Sequence, residues 1–415
     1  MSATMIDTDT VAGRFLAEIA EIGRDGAGWS RLGFSPVERE AHEVLARWMR
    51  ELGCTVTTDP VGNTIAELPG SERTGAVVTG SHLDSVPGGG TFDGAAGVAA
   101  GVEALTRLVE RGQQTRRPIR LVAFACEEGA RFGAPCIGSR CVTGEFGVAA
   151  LRSFLDEEGV SVWQRARECG LDPDGVEAAR WDPGDVAAFL ELHIEQGRVL
   201  EERGVPLGIV HSIAGSTRVQ LRFTGRADHS GATPMWLRAD ALAAASEFVL
   251  EVERKAATRS TSVATVGRFQ VAPGALTTIP GEVVLSLDAR DLDSDAQREL
   301  VEGLLDHVAS IGQRRGVTVE AELLSDQSPV LLHDMVQERL TTAATEASIP
   351  FLVMPSGASH DAAHIAKLVP TGMLFVPSRS GISHAPQEWT SAGDISRGAR
   401  VLANTLADLG DRDAI

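Results

Sequence analysis

The chain has 415 residues and a formal net charge of −19, from 38 Lys+Arg against 57 Asp+Glu. Hydrophobic residues at 43% and charged residues at 23% are globular values and exclude wholesale disorder. The acidic balance, without a Lys/Arg cluster, argues against nucleic acid or an anionic membrane as partner. At about 150 residues per domain, the length predicts two or three domains.

No stretch approaches the ~18 uninterrupted apolar residues of a membrane span. Met1 to Thr10 lacks the basic start and apolar run of a secretory signal. Cysteines at 54, 126, 136, 141 and 169 are odd in number and form no C-x-x-C pair. They predict reduced thiols of a cytoplasmic protein, with no structural zinc knot.

The first clear helix is predicted over Pro36–Leu52, with Ser35 and Glu38 as a capping box, Pro36 at the first helical position and Gly53 after the end. A strand at Ala76–Ser81, a helix at Ala95–Glu110 and strands at Ile119–Cys126 and Ala187–Ile194 follow. This alternation predicts a mostly parallel sheet between helices.

The pattern changes after Ile209. Thr217–Gly225 alternates in polarity, and Arg238–Lys255 is an Ala-rich helix. Ser262–Val271 and Glu282–Asp288 are strands, Asp295–Arg315 a helix and Val317–Leu323 a strand. The order β-α-β-β-α-β is that of a ferredoxin-like split unit of roughly 110 residues. From Pro329 the α/β pattern resumes, through a strand at Gly372–Val376 to a helix at Ala392–Leu409. The expected organisation is an α/β catalytic domain (1–211 and 329–415) interrupted by a smaller domain (212–328).

Metal-type residues recur at predicted strand ends, where sites gather in open α/β sheets. They lie in Gly80-Ser81-His82-Leu83-Asp84, in the glycine-rich Gly88 to Gly94 containing Asp93, and in Cys126-Glu127-Glu128-Gly129. Two more lie in Glu191-Leu192-His193-Ile194-Glu195-Gln196 and Ser383-His384-Ala385. Histidine with carboxylate donors suits Zn, Mn, Co or Ni, and a carboxylate between two cations can bridge them. Adjacent glutamates are more often a solvated surface pair. Glu127 and Glu128 directly follow an apolar strand, where one can ligate and the other act as general base. Gly88–Gly90 predicts a tight turn and no phosphate loop, since no Gly-Lys-Ser/Thr follows. His360 and His364, with Asp361 between them, only superficially match a zincin helix.

These five motifs, in this order over almost the whole chain, resemble the M20 di-metal amidohydrolase and peptidase superfamily. His193 in Glu-Leu-His-Ile-Glu-Gln-Gly resembles its hydantoinase/carbamoylase branch, where co-catalytic peptidases usually carry Asp or Glu. The resemblance implies two divalent cations per subunit (Zn2+, Mn2+, Co2+ or Ni2+), one held by His82 and His193, the other by Glu128 and His384, bridged by Asp93. It implies Glu127 as general base, Asp84 as the partner of His82, and His229 as oxyanion donor from the inserted domain. For the substrate it implies Arg290 on a carboxylate and Gln196 on a ureido group, with Thr277, Ser359 and His360 lining the pocket. The family usually has Asn where Thr277 stands and Gly where Ser359 stands.

The activity so implied is hydrolysis of the ureido or carbamoyl C–N bond of N-carbamoyl-L-amino acids, or of a relative such as allantoate or N-carbamoyl-β-alanine, by a homodimer in which the inserted domain is lid and dimerisation element. An aminoacylase or dipeptidase is the alternative within the superfamily. A non-catalytic metal-dependent binding protein is the alternative outside it, and such a protein has no use for Glu127.

Overall fold

The computed structural model describes residues 6–26, 28–72 and 75–413, in two compact units: Met1–His211 with Leu331–Ile415, and Ser212–Val330. The first is a mixed α/β unit. Its sheet has nine strands among the described residues, and the core of that sheet is parallel. Ala76–His82 lies between Ile119–Phe124 and Val186–Ile194, and Thr371–Val376 flanks Val186–Ile194, all in parallel register. Thr55–Thr58 and Thr64–Leu68 on one side and Gly208–Ile213 on the other are antiparallel.

The central strands are apolar because both faces are covered, and Ala76–His82 is buried at every residue. Helices Val11–Ile19, Ala95–Glu110, Asp334–Glu346 and Ala392–Gly410 share one core with the sheet. A second cluster, around Phe34, Phe132, Ile137 and Leu151, includes Cys126 and Cys141. All five cysteines are free thiols.

In the second unit, Val263–Ala272, Glu282–Asp291, Gly215–Thr224 and Thr318–Gln327 form an antiparallel sheet in that order. Alternate residues (Val219, Leu221, Phe223; Val283, Leu285, Leu287) pack against Phe248, Leu304 and Val308 of helices Ala241–Ala256 and Ser294–Arg315. The period-2 pattern of these strands is the burial of one sheet face.

Several local expectations need correction. Ser35 caps the Pro36–Glu51 helix through the Glu38 N–H, but Glu38 does not return to Ser35. Its carboxylate accepts the N–H groups of Phe34 (2.6 Å) and of distant Cys126 (2.7 Å). The strand expected over Ile119–Cys126 stops at Phe124, and Cys126 turns into the left-handed region (φ +54°). The Ala-rich helix begins at Ala241, after Asp240 caps it and Met235–Leu237 forms a 3-10 turn. The Glu282 strand runs on to Asp291, so Arg290 lies within it.

Candidate metal centre

His82 and His193 end adjacent parallel strands, which stacks their rings 5.8 Å apart. The glycine-rich turn then brings in Asp93. A Cβ on Gly94 (φ +63°) would lie 2.4 Å from the His82 ring, so only glycine admits this approach. Asp93 Oδ1 lies 3.4 Å from His82 Nε2 and 3.1 Å from His193 Nε2. Its Oδ2 lies 3.3 Å from His384 Nε2, which is also 3.3 Å from Glu128 Oε1.

Two donor groups thus share Asp93: His82–Asp93–His193, and Asp93–Glu128–His384, each with its donor atoms within 4.8 Å. Ligand atoms ~2.0–2.2 Å from a tetrahedral cation stand about 3.4 Å from one another, close to these separations. The ring faces agree. His193 Nδ1 donates to the Ile194 carbonyl (2.9 Å), and His82 Nδ1 faces the Asp84 carbonyl (3.2 Å) and carboxylate (3.3 Å). In the neutral ring that a metal ligand requires, Nδ1 so placed keeps the proton and the Nε2 lone pair faces the centre. All are buried except His384, whose side chain is 48% exposed.

Glu127 stands beside the cluster, with Oε2 3.8 Å from His82 Nε2 and Oε1 accepting the Cys136 thiol at 3.1 Å. Burial pushes its carboxyl well up; His82 opposes this, and Glu128, Asp361 and Asp84 add to it. Burial also works against the charge on His82 and His193, yet the facing carboxylates, Asp93 above all for His193, hold both rings above the usual range. Hydrogen bonds to Asp93 and Glu128 raise His384 to about 11. Asp93 stays well below the ordinary carboxylate range despite burial, because three imidazoles face it.

Three non-glycine residues of the site, Cys126, Gln196 and His384, adopt positive φ. Such backbone costs ~1–2 kcal/mol per residue. In each case a side chain holds the N–H: distant Glu38 on Cys126, distant Ser378 Oγ on Gln196 (3.0 Å), and Glu388, four residues on, on His384 (3.3 Å).

Gln196 donates Nε2 to Asp93 Oδ2 at 2.6 Å and leaves Oε1 buried without a partner. His360 is buried, with its ring 4.6 Å from that of His193 and its Nε2 2.9 Å from Ser356 Oγ. Ser359, just before it, is half-buried. Glu191 also approaches His193 and His360, but its oxygens already accept Ser81 Oγ–H (2.8 Å) and the Ala362 N–H (2.9 Å).

His229, Thr277 and Arg290 belong to the second unit. His229 is exposed, and its Nδ1 accepts the N–H groups of Gly231 and Ala232, both at 3.1 Å. With Nδ1 accepting, Nε2 is the ring nitrogen placed to donate. Thr277 is exposed and bonds Ser230 N–H through its carbonyl (2.9 Å). Arg290 forks onto Asp288 (3.0 and 2.9 Å).

The supporting roles of Glu38, Ser383 and Asp361 escaped sequence reasoning, which singled these residues out for other reasons, and Glu388 and Arg31 escaped it altogether. The Arg31 guanidinium is fully buried and brought down to about 10 by burial, against the charges of Asp84 and Glu388.

The profile of peptidase family M20/M25/M40 matches residues 78–408. The chain is 42% identical over 396 residues, 95% of this chain and 97% of the relative, to an N-carbamoyl-L-amino acid amidohydrolase of Geobacillus stearothermophilus. It is 33% identical to the allantoate amidohydrolase of Escherichia coli K12, over 94% of this chain and 95% of the relative. Its fold matches a crystal structure of a hydantoinase/carbamoylase family amidase from Burkholderia multivorans with a TM-score of 0.91. That match covers 97% of this chain and 98% of the other at 34% identity.

The chain belongs to the M20 family, in its hydantoinase/carbamoylase branch. M20 enzymes are metal-dependent, and the two donor groups sharing Asp93 are this M20 chain's candidate ligands. Among the described residues of this family member, no helix is long and apolar enough to cross a membrane.

Proposed function

We propose that this chain is a metal-dependent amidohydrolase that cleaves the ureido or carbamoyl C–N bond of N-carbamoyl-L-amino acids or a related ureido acid. The observation that carries the reading is Glu127: a buried carboxylate outside both donor groups, held beside them by the Cys136 thiol on one oxygen and facing His82 Nε2 with the other. A protein that only bound metal would not need it. The substrate class comes from the relatives, which are named as amidohydrolases of carbamoyl amino acids and allantoate.

His82 and His193 would hold one divalent cation and Glu128 and His384 the second, with Asp93 between them. When bound, such a pair lowers the pKa of water and polarises a carbonyl. Glu127 takes a proton from the attacking water and passes it to the leaving nitrogen, and burial suits it to both tasks. His229 donates its Nε2 proton to the oxyanion of the tetrahedral carbon. Arg290 clamps the substrate carboxylate, and Gln196 offers the ureido group its unpartnered oxygen. Water adds to the carbonyl carbon, the C–N bond breaks, and the amino acid leaves with a carbamate that decays to CO2 and ammonia.

The second unit serves as lid and dimerisation element in this reading, with domain limits near 212 and 328. Support comes from the length of one strand. Arg290 pairs with Ser216 and Glu282 with Thr224, so the two ends of the strand are about 26 Å apart at ~3.3 Å per residue. His229, paired with Thr278, lies beyond the Glu282 end. One small ureido acid does not reach both His229 and Arg290 of a single unit. A two-fold dimer resolves this, with His229 serving the neighbouring subunit's substrate.

Chelation followed by reconstitution with Mn2+, Co2+, Ni2+ or Zn2+ tests the reading. Activity on N-carbamoyl-L-amino acids should vanish and return, with metal content approaching two ions per chain. Full activity of metal-free protein contradicts it.

A further inference from the structure

Glu388 is a buried carboxylate four residues after His384, just past the Ser383-His384-Ala385 motif. Its Oε1 accepts the backbone N–H groups of Phe92 (2.8 Å) and Asp93 (2.9 Å). Its Oε2 accepts Ser383 Oγ–H (3.0 Å) and the His384 N–H (3.3 Å). One side chain thus grips the loop of Asp93 with one oxygen and the loop of His384 with the other, across 295 residues of sequence.

Two further features match this placement. His384 has φ +56°, and the Glu388 bond holds the N–H of that left-handed residue. A Cβ on Gly90 would stand 2.2 Å from Glu388 Oε1 and 2.5 Å from its Cβ, so the glycine-rich turn leaves room for the carboxylate itself.

We infer that Glu388 is a positioning residue that locks the Asp93 loop to the His384 loop and so completes the second donor group, Asp93–Glu128–His384. The inference rests on the two-cation reading above. Glu388 touches neither cation nor substrate; it acts through the backbone of two ligands. Loss of its Oε2 bonds therefore falls on the His384 group alone, while its Oε1 bonds support Asp93, which both donor groups share.

Glu388→Gln separates the halves. The amide oxygen can still accept from Phe92 and Asp93, but the amide NH2 then meets the His384 N–H, donor against donor. Full-length metal-free protein titrated with Mn2+ by calorimetry, with metal analysis after dialysis, reads the effect. Partners that orient ligands are worth about 10–100-fold in metal affinity. Glu388→Gln should weaken the second ion by that factor and leave the first unchanged.

The double variant Glu388→Gln/Glu128→Gln should bind its remaining ion as Glu128→Gln does. Gly90→Ala crowds Oε1, which holds the Asp93 loop shared by both donor groups, and should weaken both ions, which keeps the test open if Glu388→Gln fails to fold. Folded Glu388→Gln that binds both ions with wild-type affinity or weakens both equally, or folded Gly90→Ala that binds both as wild type does, overturns the inference. Wild-type protein binding fewer than two ions instead removes the two-cation reading on which it rests.

Discussion

Asp84 accepts the backbone N–H of Glu127 on Oδ1 at 3.0 Å, and its Oδ2 accepts the next N–H, of Glu128, at the same distance. The same carboxylate faces His82 Nδ1, so one buried side chain sets both a ligand and the turn carrying the two glutamates. Glu38 holds the preceding N–H, of Cys126, so three consecutive amides are fixed by two carboxylates. The turn can therefore present Glu127 and Glu128 in different roles from adjacent positions.

That difference is measurable. Glu127→Gln should retain two ions and lose about 10²–10⁴-fold in kcat, as for removal of a general base. Glu128→Gln should lose metal instead. Atomic emission on dialysed protein, alongside kcat, separates the two, and equal metal loss in both variants would refute the division of roles.

Much of this architecture was legible because it follows from local pattern. Ala95–Glu110 is a helix at the predicted residues, and the apolar runs at Ala76 and Ile119 became central parallel strands. The metal-type residues were legible because they sit at strand ends beside glycines, so His82, Asp93, Glu128, His193 and His384 do converge. What stayed hidden are contacts between distant segments. Glu38 reads as half of a capping box, and only the fold shows its second bond, to Cys126. Glu388 and Arg31 belong to no local pattern, and only the closed fold buries them. Helix Val11–Ile19 was missed too, although Thr10 caps it through the Gly13 N–H.

The dimer carries its own expectation. Chains bearing His229→Ala and chains bearing Glu127→Gln should each be nearly inactive, while their mixed dimer regains activity, because one of its sites then combines both intact residues. Verified heterodimers without activity would place His229 in its own chain's site.

Arg290 is already forked onto Asp288, whose carboxyl is held below its usual range despite burial by Arg290 and Arg218. A substrate carboxylate must share or take over that fork. Charged hydrogen bonds contribute ~1.5–3 kcal/mol, so Arg290→Ala should lower kcat/KM roughly 10–100-fold for carbamoyl amino acids. Their neutral amides, lacking the carboxylate, should lose little. An equal loss for acid and amide would make the Arg290–Asp288 pair purely structural.

Removing the metals leaves imidazoles that hold protons. Asp93 and Glu128 raise His384 to about 11, and His82 and His193 are also raised. Cation binding requires neutral rings, so loading the metal-free protein at pH 8 should release protons and tighten as pH rises. The stability these charged rings give the metal-free fold is complete below the unfolded histidine pKa of ~6.5 and is lost as pH climbs toward 11. Calorimetry in buffers of different ionisation enthalpy reads the released protons, and binding without proton release would contradict these protonation states.

The bond that is cut defines the enzyme. Protein reconstituted with Mn2+ or Co2+ should be offered N-carbamoyl-L-amino acids, N-carbamoyl-β-alanine, allantoate, N-acetyl amino acids and dipeptides, with ammonia and free amine measured together. A ureido or carbamoyl acid should be hydrolysed, with amine and ammonia appearing in step, while N-acetyl amino acids and dipeptides are turned over far more slowly. Efficient cleavage of the acyl amino acids or dipeptides, with every ureido and carbamoyl acid left intact, would contradict the proposed function.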